Sequence, residues 1–300
     1  MRTAEDFCGV KILTYAVLSN HWHMLIEVPE HEEISDTELI RRLGLLYSRQ
    51  KVRVVATLLK EYRASGDEKN RKRLREKYTY RMGDVSEFMK LIKQRYTEWY
   101  NRKENRSGTL WDDRFKSILV ERSEKALTTM AAYIDLNAVR AGLAEDPKDY
   151  RFCGYGEAVA GGEEAREGLL RVMEAFGWEG DWDKVGPEYR KHLYIRGREK
   201  GTSPEGNAAT AGISKARVDQ VLAAGGKLTM GEALHCRVRY FSDGLALGSA
   251  AFVDQVFKQH RDQFGPKRKT GARAMRWADW GGLCTARNLR LTVINAPATA

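Results

Sequence analysis

No apolar run in this sequence approaches the roughly 20 residues that a helix needs to span a bilayer, so no membrane partner is expected. Cysteine is scarce and scattered. Cys8, Cys153, Cys236 and Cys284 form no C-x-x-C pair, which argues against a disulfide framework or a structural zinc site and suits reduced thiols in a cytoplasmic protein. Residues 1–9 lack the basic-then-apolar pattern of a secretory signal. Internal repeats and low-complexity tracts are missing too. What remains is a chain of 300 residues, 42% of them apolar. That is enough for a real core, in one large domain or two ordinary ones.

Acidic residues are in short supply over two stretches. Residues 41–77 hold 13 Lys and Arg against 4 Asp and Glu, and residues 258–290 hold 9 against 2. The blocks carry +9 and +7; with a net charge of +10, the rest of the chain is −6. Two basic blocks on an otherwise acidic chain make an electrostatic footprint for nucleic acid. The plainer reading is a pair of solvated helix faces.

The most specific stretch is Tyr15–Pro29: an apolar run, a Ser19-Asn20 turn, then His21-Trp22-His23. It predicts a hairpin of the strand Val10–Leu18 and a His-bearing strand. Strand residues alternate between faces, so His21 and His23 project side by side, with Leu25 and Glu27 beyond them. Trp22, Met24, Ile26 and Val28 fill the other face, which wants a core. Two imidazoles on one face are a ready pair of metal ligands. The simpler alternative is two surface histidines that share a strand.

Around this hairpin the chain reads as largely helical. Arg2–Cys8 has the character of a helix end closed by Gly9. Leu39, Leu43, Leu46 and Tyr47 fall at helical spacing, and basic helical segments run on to Lys77 with a break at Ala64–Asp67. Within them, Arg71-Lys72-Arg73-Leu74-Arg75 is suited to lie along a phosphate backbone. Ser86 is the expected cap of the next helix. Its stripe of Val85, Phe88, Met89, Ile92, Tyr96, Trp99 and Tyr100 is assigned to core rather than to base stacking. After a loop at Asn105–Thr109, Leu110–Val120 reads as a strand with Trp111, Phe115 and Leu119 on one face. Arg114 and Lys116 flank a buried aromatic there, placed either to contact phosphate or simply to face water. Ser123 and Glu124 then open a helix with a cap and a first-turn acid. Its apolar stripe is Leu127, Met130, Ala131, Ile134, Ala138 and Ala141. Tyr133 and Asn137 lie about 40° apart on the border of that stripe, pairing a phenol with an amide oxygen that is a candidate third metal ligand.

Three blocks, Asn20-His21-Trp22-His23, Gly108–Ser117 and Tyr133–Gly142, resemble the signature blocks of the REP-associated tyrosine transposases. These are relatives of the single-tyrosine HUH transposases of small bacterial insertion sequences. The blocks occur in the family's order, the Asp146-Pro147 and Asp149-Tyr150 turn follows them, and the resemblance spans roughly residues 1–155. It implies an α+β fold with a ferredoxin-like antiparallel sheet backed by helices. It also implies that His21, His23 and Asn137 hold a divalent metal, Mg²⁺ or Mn²⁺, and that Tyr133 is the nucleophile. The implied activity is nicking and joining of single-stranded or hairpin DNA through a 5′-phosphotyrosine. Family members start with a strand and a full helix ahead of the hairpin, whereas this chain starts at the end of that helix. The expectation is therefore an upstream start or a decayed copy, with the His-bearing strand short of an inner neighbour.

This gives three regions: a transposase domain at 1–155, a helical connecting region at 156–226 and a basic α/β region at 227–300. Phe152–Gly168 reads as turn-like, and residues 168–226 as mostly helical with loops near Gly177–Gly186 and Gly201–Gly212. Leu234–Tyr240 reads as a strand, and Ser249 as the cap of a helix carrying Phe252, Val253, Val256, Phe257 and His260. A flexible basic loop follows at Gly265–Arg273. The DNA contacts expected from all of this are Arg114, Lys116, Arg140, Lys267, Arg268, Lys269 and Arg273. His260 is expected to be a surface histidine at a helix end. The protein is expected to act as a monomer or homodimer. The alternatives are a non-catalytic protein that only recognises DNA repeats and, more remotely, an RNA-processing metalloenzyme.

Overall fold

The first helix, α1 (Arg2–Cys8), stops where Gly9 takes a φ of 68°, a left-handed conformation open to glycine at little strain. The chain then enters β1 (Lys11–Val17) and returns as β2 (Trp22–Glu27), and the two strands form a two-stranded sheet. Across the turn between them, the Leu18 N–H donates to the His21 carbonyl (2.8 Å). This computed structural model describes residues 1–30, 33–175, 177–195, 234, 241, 244–276 and 278–287. The protein is α+β, predominantly helical with small sheets. Its contacts group into two units: residues 1–12 with 26–115, and residues 13–25 with 116–300.

In the first unit, four helices follow: α2 (Asp36–Leu46), α3 (Arg49–Ser65), α4 (Glu68–Thr79) and α5 (Val85–Lys103). Each begins with a capping side chain. Ser35, Ser48, Asp67 and Asp84 accept the backbone N–H three residues on, satisfying donors that the helix itself leaves over. Asp84, not Ser86, caps α5, because the cap must precede the N–H groups it serves. The break between α3 and α4 falls at Gly66 and Asp67, as the sequence predicts. α1 packs on α2 and α5, α2 on α3, and α3 on α4, with Phe7, Leu39, Leu43, Val55, Leu59, Phe88 and Leu91 buried.

Charge pairing reinforces this unit. Arg41 bridges Glu38 (2.7 Å) and Asp6 (2.6 Å). Arg75 ion-pairs with Asp36 and donates to the Ile34 carbonyl, and Arg71 reaches the same Asp36 (2.9 Å). Two residues expected along a phosphate backbone, Arg71 and Arg75, are therefore turned onto protein acids; Lys72 and Arg73 stay exposed.

The strand expected over Leu110–Val120 is reduced to β3 (Leu119–Val120). The Trp111 indole N–H donates to Thr97 Oγ1 (2.8 Å) and to the Lys93 carbonyl (3.2 Å). Thr109 Oγ1 accepts the Trp111 backbone N–H (3.2 Å). These bonds hold the segment on α5 in a local turn that competes with a ladder. Phe115 is only half-buried and Leu119 is exposed, so the aromatic face predicted there does not form.

In the second unit, β3 runs parallel to β4 (Gly244–Gly248), and β6 (Cys284–Arg287) pairs antiparallel with β4 and with β5 (Arg273–Ala274). The helices are α6 (Glu124–Asp135), a short α7 (Asn137–Arg140), α8 (Gly154–Val159), α9 (Glu163–Glu174), α10 (Trp182–Ile195) and α11 (Ala250–Gln259). Ser249 caps α11 as predicted, and Val253, Val256 and Phe257 are buried. Ser123 stands at the cap position of α6, but its hydroxyl donates to Glu121 (3.1 Å) instead.

Two regions read as turns are helical: α8 and the start of α9 lie within Phe152–Gly168, and α10 begins at Trp182. Gly154 and Gly156 serve close packing. A Cβ at Gly154 would stand 2.3 Å from Thr14 Oγ1 and one at Gly156 2.4 Å from the Tyr150 carbonyl oxygen. A boundary at residue 155 falls inside α8. The helical reading of 196–226, the loop near Gly201–Gly212 and the strand at Leu234–Tyr240 lie outside the described residues, Leu234 excepted.

Candidate active site

α6 is apolar enough to be surrounded: every residue from Ala126 to Val139 is buried. Tyr133 is thus interior, 4% exposed, rather than on the border of a stripe, while Ala141 is exposed. β2 lies on the same core through Leu25. The core-facing side of β2 is therefore the histidine side, not the opposite one. Trp22, Met24 and Ile26 are only half-buried and Val28 is exposed.

This packing brings His21, His23 and Tyr133 together. The His23 ring centre lies 6.1 Å from that of Tyr133, and His21 lies 5.2 Å from His23 with the rings nearly perpendicular. His21 precedes β2 instead of sitting within it, yet the two imidazoles remain side by side. The His21 Nδ1 is 2.7 Å from Asn20 Oδ1. With the carboxamide oxygen accepting, the proton sits on Nδ1, and Nε2 is the basic nitrogen suited to coordination.

Tyr133 is flanked on its own side of the core by Phe241, at 4.6 Å between ring centres, and by the Arg140 guanidinium, 4.0 Å from its ring centre. Arg140 also donates to the carbonyls of Tyr133 (2.5 Å) and Leu234 (2.8 Å). Arg140, expected on DNA, is half-buried against the tyrosine ring and its backbone. The helix bearing Tyr133 does not continue through Asn137 either. α6 ends at Asp135, Leu136 interrupts with ψ 0°, and Asn137 opens α7.

Asp135 fixes this junction. It is fully buried and accepts from Thr14 Oγ1 (2.7 Å) on β1, the Tyr155 backbone N–H (3.2 Å) on α8 and the Tyr189 hydroxyl (2.5 Å) on α10. Burial pushes its carboxyl up to about 6, against the opposing pull of those three donors. Sequence reading missed this residue. The signal was present in an acid two positions from Tyr133 on an apolar helix, since such an acid is costly unless partnered.

Asn137 is buried, and its Nδ2 has no hydrogen-bond partner. Such an orphan costs roughly 1–3 kcal/mol, and turning the amide over presents Oδ1 at the same spot. Among the described residues, no group of three or more His, Cys, Asp or Glu is placed to hold a metal. An amide oxygen is a donor type that a divalent cation accepts together with imidazole, and the Asn137 carboxamide is of that chemistry. Two imidazoles with ring centres 5.2 Å apart are a donor pair of the type that divalent cations take.

Of the expected DNA contacts, Arg114 in the first unit and Lys116, Lys267, Lys269 and Arg273 in the second are exposed. Arg268 is not. It is 8% exposed, lies 4.7 Å from the Phe264 ring centre and donates to the carbonyls of Thr270 (2.9 Å) and Gly271 (2.6 Å). Burial, with Arg273 nearby, lowers its pKa from the ordinary guanidinium value. The loop read as flexible is pinned: Asp254 Oδ1 accepts the N–H groups of Gly271 (2.7 Å) and Ala272 (2.8 Å), and Arg273 belongs to β5. His260 stands at the C-terminal cap of α11, the helix-end position expected of it. No protein-family model, curated protein or solved structure matches the chain.

Proposed function

We propose that this chain is a metal-dependent, single-tyrosine enzyme that nicks and rejoins single-stranded or hairpin DNA, of the kind carried by the REP-associated transposases it resembles. A ferredoxin-like arrangement of the HUH type is part of this reading, with the β1–β2 hairpin and α6 at its centre. One observation carries it: two adjacent imidazoles and a tyrosine ring, from sequence blocks more than 100 residues apart, form one run of contacts at 5.2 and 6.1 Å.

His21, His23 and Asn137 would hold a divalent cation, Mg²⁺ or Mn²⁺. Once bound, it would polarise the scissile phosphate. The chain's own residues do the rest. The Tyr133 phenol oxygen attacks phosphorus and forms the phosphotyrosine bond. The bond from phosphorus to the 3′ oxygen breaks, and the phenol proton is balanced by the proton that the leaving oxygen gains as a 3′-OH. Arg140 sets a positive charge over the ring on which negative charge develops. Asn20 orients His21, and Asp135 ties the helix carrying Tyr133 to β1, α8 and α10. Rejoining is the reverse attack of the 3′-OH, and the phosphotyrosine bond conserves the energy of the original linkage.

The test is to incubate end-labelled hairpin DNA with the protein and Mg²⁺ or Mn²⁺, then separate the products on a denaturing gel. A protein–DNA adduct is expected from the unsubstituted chain, with Tyr133→Phe abolishing it and His21→Ala suppressing it while DNA binding persists. A second reading, a repeat-binding protein without catalysis, is favoured by the 4% exposure of Tyr133. It predicts salt-sensitive binding and no adduct with any metal.

A further inference from the structure

We propose that the exposed aromatic end of α5 is a stacking platform for single-stranded DNA, separate from the tyrosine and its histidines. The choice of DNA as the strand rests on the reading above; the platform itself does not. The stripe along α5 looks like core in the sequence, but the structure divides it. Phe88 and Leu91 are buried, whereas Tyr96 is 46% and Trp99 52% exposed. Four rings gather there. Tyr96 lies 5.6 Å from Trp99, 6.0 Å from Tyr100 and 5.8 Å from Trp111 between ring centres. The Trp111 bonds to Thr97 and Lys93 hold the cluster rigid from one side.

Each edge of the cluster carries a cation. Lys103 lies 5.3 Å from the Trp99 ring centre, Arg106 5.8 Å from that of Tyr100 and Lys93 5.1 Å from that of Trp111. Over residues 93–106 there are five Lys and Arg against two Glu. A patch that only buried apolar surface against another protein would not need cations beside three of its four rings. A strand of unpaired bases matches both features: its flat apolar bases suit the ring faces, and its phosphates suit the ammonium and guanidinium groups. Duplex DNA hides its base faces and matches only the second. Asp112 and Asp113 adjoin Trp111 and are exposed, which disfavours phosphate at that edge, so the stacking is assigned to Tyr96, Trp99 and Tyr100.

The experiment measures fluorescence anisotropy of labelled dT12 with the full chain at several salt concentrations. Trp99→Ala, Tyr96→Ala, Lys103→Ala and Trp99→Phe are compared, with circular dichroism to confirm folding. Trp99→Ala and Tyr96→Ala should each weaken dT12 binding by roughly 5- to 100-fold and binding to a 12-bp duplex far less, while Trp99→Phe restores most of the affinity. Lys103→Ala should flatten the salt dependence by about 0.7 in logarithmic slope.

Unchanged dT12 affinity in folded Trp99→Ala and Tyr96→Ala would overturn the platform, as would loss of self-association in Trp99→Ala without loss of DNA binding. Tighter binding of rU12 than of dT12 would overturn the choice of DNA. Trp99-dependent binding without any adduct leaves the platform standing and removes only the nicking reading.

Discussion

In the first unit, carboxylates meet guanidiniums at the rim of the helices; in the second, one carboxylate is carried wholly inside and met by neutral donors. The consequences for the acids are opposite. Hydrogen bonds from Arg41 and Arg42 hold Glu38 down at about 2, whereas burial pushes Asp135 up to about 6. At Glu38 the pairing outweighs desolvation and stabilises the charged form, while the full burial of Asp135 penalises it and keeps the charge tolerable only through a complete set of partners. The first arrangement clamps helices together. The second sets the position of a single helix junction, the one that carries Tyr133 and Asn137.

The contrast predicts unequal damage when each device is removed. Asp135→Ala leaves the Thr14, Tyr155 and Tyr189 donors buried without an acceptor. It should cost about 4 kcal/mol, read as a lowered urea midpoint, and should reduce adduct formation even under conditions where the protein remains folded. Arg75→Ala should cost about 2 kcal/mol, because Asp36 keeps Arg71 and stays near water. If Arg75→Ala proves the more damaging, the contrast between the units is wrong. Asp84→Ala removes one helix cap and should cost about 1 kcal/mol, seen as a small drop in the melting temperature.

The subtlest effect is the pH profile of Glu38. Its pKa is depressed below the ordinary 4.5, so its stabilising contribution is present above pH 4.5 and is lost as pH falls toward 2. Glu38→Gln should flatten the acid limb of the stability curve over that window. An acid limb of unchanged slope in that variant would mean that the Arg41 and Arg42 pairs do not hold in solution.

Much of this was legible because local chemistry decided it. Gly9, the Gly66-Asp67 break, the Ser19-Asn20 turn and the Ser249 cap each announce an element end, and the histidine spacing survives the shift of His21 out of β2. The misreadings share a cause in tertiary contact. Trp111 alternates with its neighbours as a strand residue would, but its indole N–H finds Thr97 on α5. Gly154 and Gly156 look like turn formers, yet they are glycines because Thr14 and the Tyr150 carbonyl leave no room for a Cβ. Arg140 and Arg268 look like surface cations, yet both serve aromatic rings and backbone carbonyls. A single sequence shows which groups are present, not which of them meet.

The proposed function turns on Tyr133 as the nucleophile, and peptide mapping of the adduct tests that most directly. After incubation with hairpin DNA and Mn²⁺, nuclease treatment and trypsin digestion, the nucleotide-modified fragment should be residues 126–140, the peptide between Lys125 and Arg140, with the added mass on Tyr133. Modification on any other residue, or an unmodified 126–140 peptide from protein that binds the hairpin, would contradict it.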